Sequence, residues 1–588
     1  MAFDNSVRGA GFLPQEILFF SDIWFGKASC WMNERTRVGI LLAVTILVYG
    51  NTLLNGFTYD DDGYILSNQT VKAASVAALF HPTINNVLRP ITFGTFVLNW
   101  ALAGQRPFPY HLVNVLLESA VVLLLYLLLQ MLLESVPYAA NGAFAAALLF
   151  AVHPIHTEAV ASIVGRSELL AAGFLLAAWI LHLRDRPFAA LACLVLALMS
   201  KESAVVLLPL VLAGDFARGK LKPPLRYASL AAVTVLYLAW FWKAKGGRFG
   251  EESIVFLDNP LISLSFGLRR LNALRIAWKY VGLHVYPATL SYDYSYNAIL
   301  LRTDWRHLLP AGAAALLVLV LWIWTLRSRR HPWFLAGAIY LLGFAVTANL
   351  FVPTGTIMGE RLAYLPSAGF CLLVSLIWVQ VEKRKPQLAW GVLVVLLFGL
   401  AARTMVRNRD WRDNLALYSA GVRACPGSAR AHKNLADTYM NLGHLGAART
   451  EFQVALRIYP DYPSALNNYG AVEFQLGNDR DAREALRKAL SMTDKTSSDY
   501  MFVEVNLAKV LIRLGQDDDA LSILNRDIAE RGGYAPAWSN RAAIRFRRGE
   551  AAAARSDAEM ALRLDPSNTQ ATKILGALNA APAPSSSR

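Results

Sequence analysis

Charge is what this chain has least of. Only 17% of its 588 residues are Asp, Glu, Lys or Arg, against 55% hydrophobic, and its mean hydropathy is +0.36. That balance excludes an ordinary soluble multidomain protein of this length. Cysteine is nearly as scarce. Cys30, Cys193, Cys371 and Cys425 are scattered and form no CxxC, so neither a disulfide framework nor a zinc site follows. Cys193 and Cys371 lie inside apolar runs, where a free thiol behaves as a small hydrophobe. A convincing cleavable signal is also missing: "EILFFSDIWF" is short, contains Asp22, and no small-residue cleavage site follows it. The expectation there is an interfacial helix. The formal net charge of +15 does not make this a nucleic-acid binder. Much of the excess sits in short clusters between apolar runs, "RGKLKPPLR" (218–226), "RSRRH" (327–331) and "EKRKP" (382–386), as the positive-inside rule predicts for cytoplasmic loops.

What is present divides near residue 405. Before it, apolar runs approach the ~20 residues a membrane-crossing helix needs. The candidates are 38–55, 111–133, 141–154, 168–183, 187–200, 203–214, 227–243, 307–326, 333–351, 363–381 and 388–404. The stretch 265–290 carries Arg269, Arg270, Arg275 and Lys279 and reads as an interfacial or re-entrant helix instead. Arg35 and Arg37 place the amino terminus in the cytoplasm, and strict alternation then puts "LRDRP" (183–187) and the three basic clusters on that same side.

After residue 405 a repeat replaces the apolar runs. Pro426 and Pro460 are 34 residues apart, as are Gly443 and Gly477, and Ala455-Leu456 and Ala489-Leu490. Past an insertion around "TDKTSSD" the same step separates Asn506 from Asn540 and Gly515 from Gly549. Period 34 with a Gly between helices and Pro at the repeat end is the tetratricopeptide signature. The expected fold is therefore all-α: a polytopic membrane domain of about 11 crossings, then a tetratricopeptide solenoid. Its expected parts are a cytoplasmic or interfacial segment (1–37), the membrane domain (38–405), a linker or solenoid start (406–426), four repeats (427–566), and a cap with a disordered tail ending "APAPSSSR" (567–588). The solenoid would hold an extended peptide or a partner protein, or merely add bulk.

Eleven crossings put the repeats outside the cytoplasm. On that outer face they also place "FTYDDDGYI" (57–65), "HPIHTEAVASIVGRSELL" (153–170), "SKES" (200–203), "LSYDYSYN" (290–297) and "GERLAYLPS" (359–367). Ion pathways usually keep such groups near the bilayer midplane, and here they sit at segment ends. A transferase with a lipid-linked donor suits this layout. It needs a carboxylate to take the acceptor's proton and donors to stabilise the departing phosphate.

"VHPIHTEAVASIVGRSELL" (152–170), "SKESAVVLLPL" (200–210), "LDNPL" with "LSYDYSYN", and "GERLAYLPSAGF" (359–370) resemble the transmembrane and tetratricopeptide-repeat O-mannosyltransferases, members of the GT-C glycosyltransferase superfamily. Phe57, Asp60, Asp61 and Ile65 match the F-x-x-D-D…I pattern of their first outer loop. The resemblance covers about 40–566. It implies polytopic helices, a dolichyl- or polyprenyl-phosphate sugar donor, and transfer of mannose or another hexose to Ser or Thr hydroxyls. The third aspartate and the modest repeat count depart from the animal pattern, and a bacterial-type relative would use undecaprenyl phosphate.

The resemblance makes Asp60 or Asp61 the catalytic base, with Asp62 a hydrated neighbour. Crowding raises the pKa of at least one of them. Arg89 in "VLRPITF" could reach the donor phosphate or snorkel at the interface. His111 and Asn114 open a spanning helix and could serve the site or cap the helix. His153, His156 and Glu158 form H-x-x-H-x-E, but Pro154 interrupts the first spacing and no third histidine follows, so a hydrogen-bonded site wall is preferred to a metal. Arg166 pairs with Glu168 in this reading. Lys201-Glu202 is a structural pair or a phosphate contact. Asp293 and the Glu360, Arg361, Tyr364 group face the same cavity, with Arg361 a further phosphate ligand. No cofactor is firmly expected beyond the lipid-linked donor, and a divalent metal is the less favoured reading. The expected partners are membrane lipid, that donor and an acceptor polypeptide. The rival is a non-catalytic scaffold whose repeats gather envelope proteins.

Overall fold

A computed structural model of the protein describes residues 32–82, 87–134, 136–247, 254–327 and 331–580. The expected interfacial segment before residue 32, the middle of "RSRRH" and the "APAPSSSR" tail lie outside the described residues. The described residues are all-α, with no strand among them. They divide into two compact units, residues 1–295 with 300–424, and residues 296–299 with 425–588.

The first unit is that of a multi-pass membrane protein. Among the described residues seven helices are long and apolar enough to cross: Glu34–Leu54, Phe108–Leu132, Arg166–Leu183, Pro224–Ala244, Trp305–Arg327, Glu360–Glu382 and Pro386–Asp410. An eighth forms if Ala139–Val152 and Pro154–Ala161, bent by 51°, make one broken span. Pro90–Ala103, Pro187–Ser200 and His331–Phe344 are shorter apolar helices. A helix of 14 residues reaches only about 21 Å of a core about 30 Å thick. This is why seven or eight segments pass where about eleven were expected. The expected span 203–214 is a 3-10 turn, Glu202–Val206, followed by an eleven-residue helix, Leu207–Ala217. Pro90–Ala103 escaped the sequence reading because Thr92, Gly94, Thr95 and Asn99 interrupt its apolar run. The basic stretch near 265–290 is the helix Phe266–Val285, which is not among the crossing-competent helices.

Prolines set several helix starts. Pro187, Pro224 and Pro386 stand at first-turn positions, where the missing N–H is no loss. Ala139–Val152 lies at the centre of the bundle: Ala143, Ala145, Ala146, Ala147 and Ala151 are completely buried. Such small side chains let the Phe108–Leu132 and Tyr364–Glu382 helices approach closely. At the periphery, Pro224–Ala244, Trp305–Arg327 and Pro386–Asp410 turn Leu236, Leu316, Val395 and Phe398 outward. Apolar faces of that extent mark a membrane-facing surface.

One end of the bundle collects the basic loops. Asp185 pairs with Lys222 (2.7 Å) and Arg226, Glu134 with Arg218 (3.2 Å) and Lys220, and Asn141 joins Arg37 (2.7 Å) to Glu382 (2.8 Å). The other end collects the candidate site.

The second unit pairs helices in sequence: Ala429–Asn441 with Leu445–Ile458, Pro463–Leu476 with Asp479–Met492, Ser498–Arg513 with Asp517–Glu530, and Ala535–Arg547 with Ala551–Leu564; Thr569–Ala580 follows. This is a tetratricopeptide solenoid. The glycines of the 34-residue step explain themselves, because Gly443, Gly477, Gly515 and Gly549 turn the chain between paired helices at φ of +77°, +87°, +74° and +77°. A side chain there would be strained. Ala455, Ala482, Ala489 and Ala520 are fully buried where the helices meet.

Candidate active site

The site is built on the loop after the first crossing. Asn55 Nδ2 donates to the Asn408 carbonyl (3.1 Å), the Gly56 N–H to the Arg412 carbonyl (2.9 Å), and the Tyr59 N–H to Asn414 Oδ1 (2.9 Å). The loop is thus pinned to the end of the last crossing. Tyr59 takes a left-handed φ of +53°, uncommon for a large side chain, immediately before the three carboxylates.

Those carboxylates have three different surroundings. Asp61 is fully buried; its Oδ2 accepts the Thr58 N–H (2.9 Å) and its Oδ1 the Val164 N–H (3.1 Å). Burial pushes its carboxyl up to about 7. The two N–H donors oppose that rise, the Asp60 charge adds to it, and Arg166 again opposes it. Asp62 is exposed at the start of the short turn Asp62–Leu66. Asp60 is partly open, with 28% of its side chain exposed, and its Oδ2 lies 3.7 Å from Arg361 Nη1.

Arg361 joins two elements. Its Nη1 reaches Glu158 Oε1 at 3.1 Å, its N–H donates to Glu158 Oε2 at 2.9 Å, and 29% of its side chain is exposed. Glu158 itself is buried, so Arg361 is held from behind and offered in front. Gly165 permits the turn that brings this wall together: a Cβ there would stand 2.4 Å from the Ala159 carbonyl oxygen and 2.7 Å from that of Glu158.

Several expected pairings prove different. Arg166 does not pair with Glu168. Its guanidinium is buried and donates to Asn114 Oδ1 (2.9 Å), Asn99 Oδ1 (2.6 Å), Thr95 Oγ1 (3.2 Å) and the Tyr110 carbonyl (2.8 Å). Asn114 in turn donates to the carbonyls of Val160, Ser162 and Ile163, so it braces the loop rather than capping its own helix. Glu168 pairs with Lys201, both buried. Glu202 is therefore not the partner of Lys201; it grips Arg89 in two bonds of 2.7 and 3.1 Å. A third Arg89 nitrogen lies 3.4 Å from Ser167 Oγ.

The H-x-x-H-x-E side chains diverge. His153 Nε2 meets the His284 carbonyl at 3.0 Å, His156 Nε2 meets Ser367 Oγ at 2.6 Å, and Glu158 faces Arg361. No group of three metal-binding side chains occurs among the described residues. His111 Nε2 lies 3.3 Å from the Gly56 carbonyl and so supports the first loop. Glu360 is buried and accepts from the Ser291 N–H (2.6 Å) and Tyr294 (2.7 Å), while Asp293 accepts from Ser295 Oγ (2.7 Å).

Two charged residues in contact with this set were missed. Glu118 is buried mid-helix and bonds the Tyr364 hydroxyl; a carboxylate inside "NVLLESAVV" was its available signal. Arg407 stands 3.7 Å from Glu360 and 2.9 Å from Asp410, and nothing in its neighbourhood set it apart from the surrounding arginines. Together these groups supply a partly open carboxylate, Asp60, beside one guanidinium, that of Arg361, which a buried glutamate holds in place. Such a pair can take a proton from a hydroxyl and stabilise a departing anion.

Fold and site together define a multi-pass membrane protein that carries tetratricopeptide repeats. The tetratricopeptide-repeat family model matches residues 400–463. Protein O-mannosyl-transferase F38B6.6 of Caenorhabditis elegans is 29% identical over 437 residues, covering 72% of this chain and 63% of that protein. Protein O-mannosyl-transferase TMTC3 of Homo sapiens is 26% identical over 598 residues, covering 90% and 64%. The curated relatives along most of the chain are thus protein O-mannosyl-transferases, and the chain spans somewhat under two thirds of their length. Among solved structures, the tetratricopeptide protein YrrB is 17% identical, covering 34% of this chain and 97% of that one with a TM-score of 0.25.

Proposed function

We propose that the protein is a GT-C-type glycosyltransferase that moves mannose or another hexose from a polyprenyl-phosphate donor to Ser or Thr hydroxyls of polypeptides outside the cytoplasm. The observation that carries this reading is the contrast between neighbouring aspartates. Asp61 is sealed and spent on two loop N–H groups, while Asp60 is open and faces an arginine fixed by a buried glutamate. Asp60 is then the base. The acceptor oxygen bonds to the anomeric carbon as its proton passes to Asp60. The bond from that carbon to the phosphate oxygen breaks, and its electron pair leaves with the phosphate. Arg361 stabilises the growing negative charge, and Arg89, steadied by Glu202, is a second contact for the phosphate.

Collection of the basic loops at the opposite end of the bundle supports an outward-facing site and extracytoplasmic repeats. The repeats bind the acceptor polypeptide. Mass spectrometry of exported proteins from cells with and without this protein tests the reading. Loss of hexose from Ser or Thr is expected, and unchanged occupancy would refute it.

A further inference from the structure

The helix Phe266–Val285 and the segment that follows it carry more positive charge than their position explains. Between residues 264 and 309 stand Arg269, Arg270, Arg275, Lys279, Arg302 and Arg306, against only Asp293 and Asp304. Tyr280 ties the helix to the end of the bundle that holds the candidate site: its hydroxyl meets the Gly359 N–H and the Gly359 carbonyl, each at 2.9 Å. The basic loops gather at the opposite end, so the positive-inside rule leaves this cluster unaccounted for.

Two of its cations are held together. Buried Asn272 clasps the backbone of Arg302, its Nδ2 donating to the Arg302 carbonyl (2.9 Å) and its Oδ1 accepting the Arg302 N–H (3.0 Å). Three residues along the helix, Arg275 Nη1 donates to the Leu300 carbonyl (2.6 Å). Burial, and then the charge of Arg302, hold the Arg275 guanidinium below its ordinary range. Among the described residues neither guanidinium meets a carboxylate. Asp293 accepts from Ser295, and Asp304 accepts the Arg306 N–H (2.9 Å) and lies 3.6 Å from His307. Two like charges side by side, with most of their N–H donors unused, are suited to an anion.

The surroundings decide which anion. Trp278 Nε1 donates to the Ala311 carbonyl (3.2 Å), which sets the helix against the start of the crossing Trp305–Arg327. No residue of Leu309–Arg327 is buried, so the flanks of that crossing face lipid. Leu300 and Leu309 are exposed, and the exposed rings of Phe266 and Trp305 lie under the guanidinium groups of Arg270 and Arg306. That mixture belongs to a membrane interface, and a free phosphate has no use for it. We infer that Arg275 and Arg302 bind the phosphate of an anionic phospholipid whose chains lie along the Trp305–Arg327 crossing. Arg270 and Arg306 at the edge disfavour a cationic headgroup. The site is separate from the proposed transfer reaction and does not depend on it.

Native mass spectrometry of the full chain released from a neutral detergent tests this, with phosphatidylglycerol, phosphatidylcholine or glycerol phosphate added in turn. Phosphatidylglycerol should be retained more tightly than phosphatidylcholine. Glycerol phosphate, which has the anion without the chains, should not displace it. One arginine near a lipid surface contributes about fivefold to such binding. Arg302→Gln changes an exposed side chain and spares the Asn272 clasp on its backbone, so it should weaken the tightest phosphatidylglycerol adduct about fivefold. The Arg275→Gln, Arg302→Gln double variant should weaken it about 25-fold, and Lys220→Gln at the opposite end should leave it unchanged. Equal retention of the two lipids, or displacement by glycerol phosphate, would overturn the inference. So would an adduct as tight in the double variant as in the natural protein, or one weakened more by Lys220→Gln than by Arg302→Gln.

Discussion

Asp61 yields a quantitative test of which aspartate the loop seals. With its carboxyl raised to about 7 in the closed loop and an ordinary value near 3.9 when the loop opens, Asp61 remains protonated in the closed state through mildly acidic pH. A raised acid opposes closure once the open state ionises. The loop is therefore most stable below about pH 4, loses stability as pH rises through about 7, and is level above that. From pH 5 to pH 8 the loss approaches 100-fold in the opening constant, or about 2.6 kcal/mol, most of it below pH 7. Amide hydrogen exchange of residues 57–67, corrected for intrinsic rates, reads this directly. Protection should fall about 100-fold from pH 5 to pH 8 in the natural protein. In Asp61→Asn that fall should vanish, while protection at pH 5 drops by the equivalent of about 1–3 kcal/mol, because one of the two N–H donors loses its acceptor. A flat profile in the natural protein would refute the reasoning. It would mean that Asp61 ionises like an exposed carboxylate and is as available as Asp60.

Two further perturbations follow from the same geometry. Lys201→Met leaves Glu168 buried without its cation and should destabilise the membrane unit by about 3–5 kcal/mol, while the Lys201→Met, Glu168→Gln double variant recovers much of the loss; unfolding in detergent measures both. Arg166→Lys keeps the charge but cannot reproduce a fork that serves Asn99, Asn114 and Tyr110 at once, so a loss of about 2–4 kcal/mol is expected from the same assay.

Much of the architecture was legible in the residues because it rests on periodicity. The 34-residue step is dictated by glycines whose backbone no other residue adopts comfortably, and apolar runs of twenty residues have few alternatives to a membrane. Short apolar helices such as Pro187–Ser200 blurred the count, since fourteen apolar residues read in sequence like a span but reach only part of the way across. The partners of the charged residues were not legible. Lys201 is adjacent in sequence to Glu202 and bonds Glu168, and Arg89 bonds a glutamate 113 positions away. Such pairings depend on how helices are rotated in the bundle, which local spacing does not encode. The same holds for Asp60 and Asp61: the chain places them side by side, and only the packing of the turn 162–165 against them seals one.

The central claim is that Asp60 takes the acceptor's proton. Its most direct test is transfer of labelled mannose from polyprenyl-phosphate mannose to a Ser/Thr peptide by the reconstituted full chain, comparing the natural protein with Asp60→Asn. A fall in kcat of at least about 100-fold with melting unchanged is the predicted result. Transfer by Asp60→Asn within a few-fold of the natural rate would contradict it.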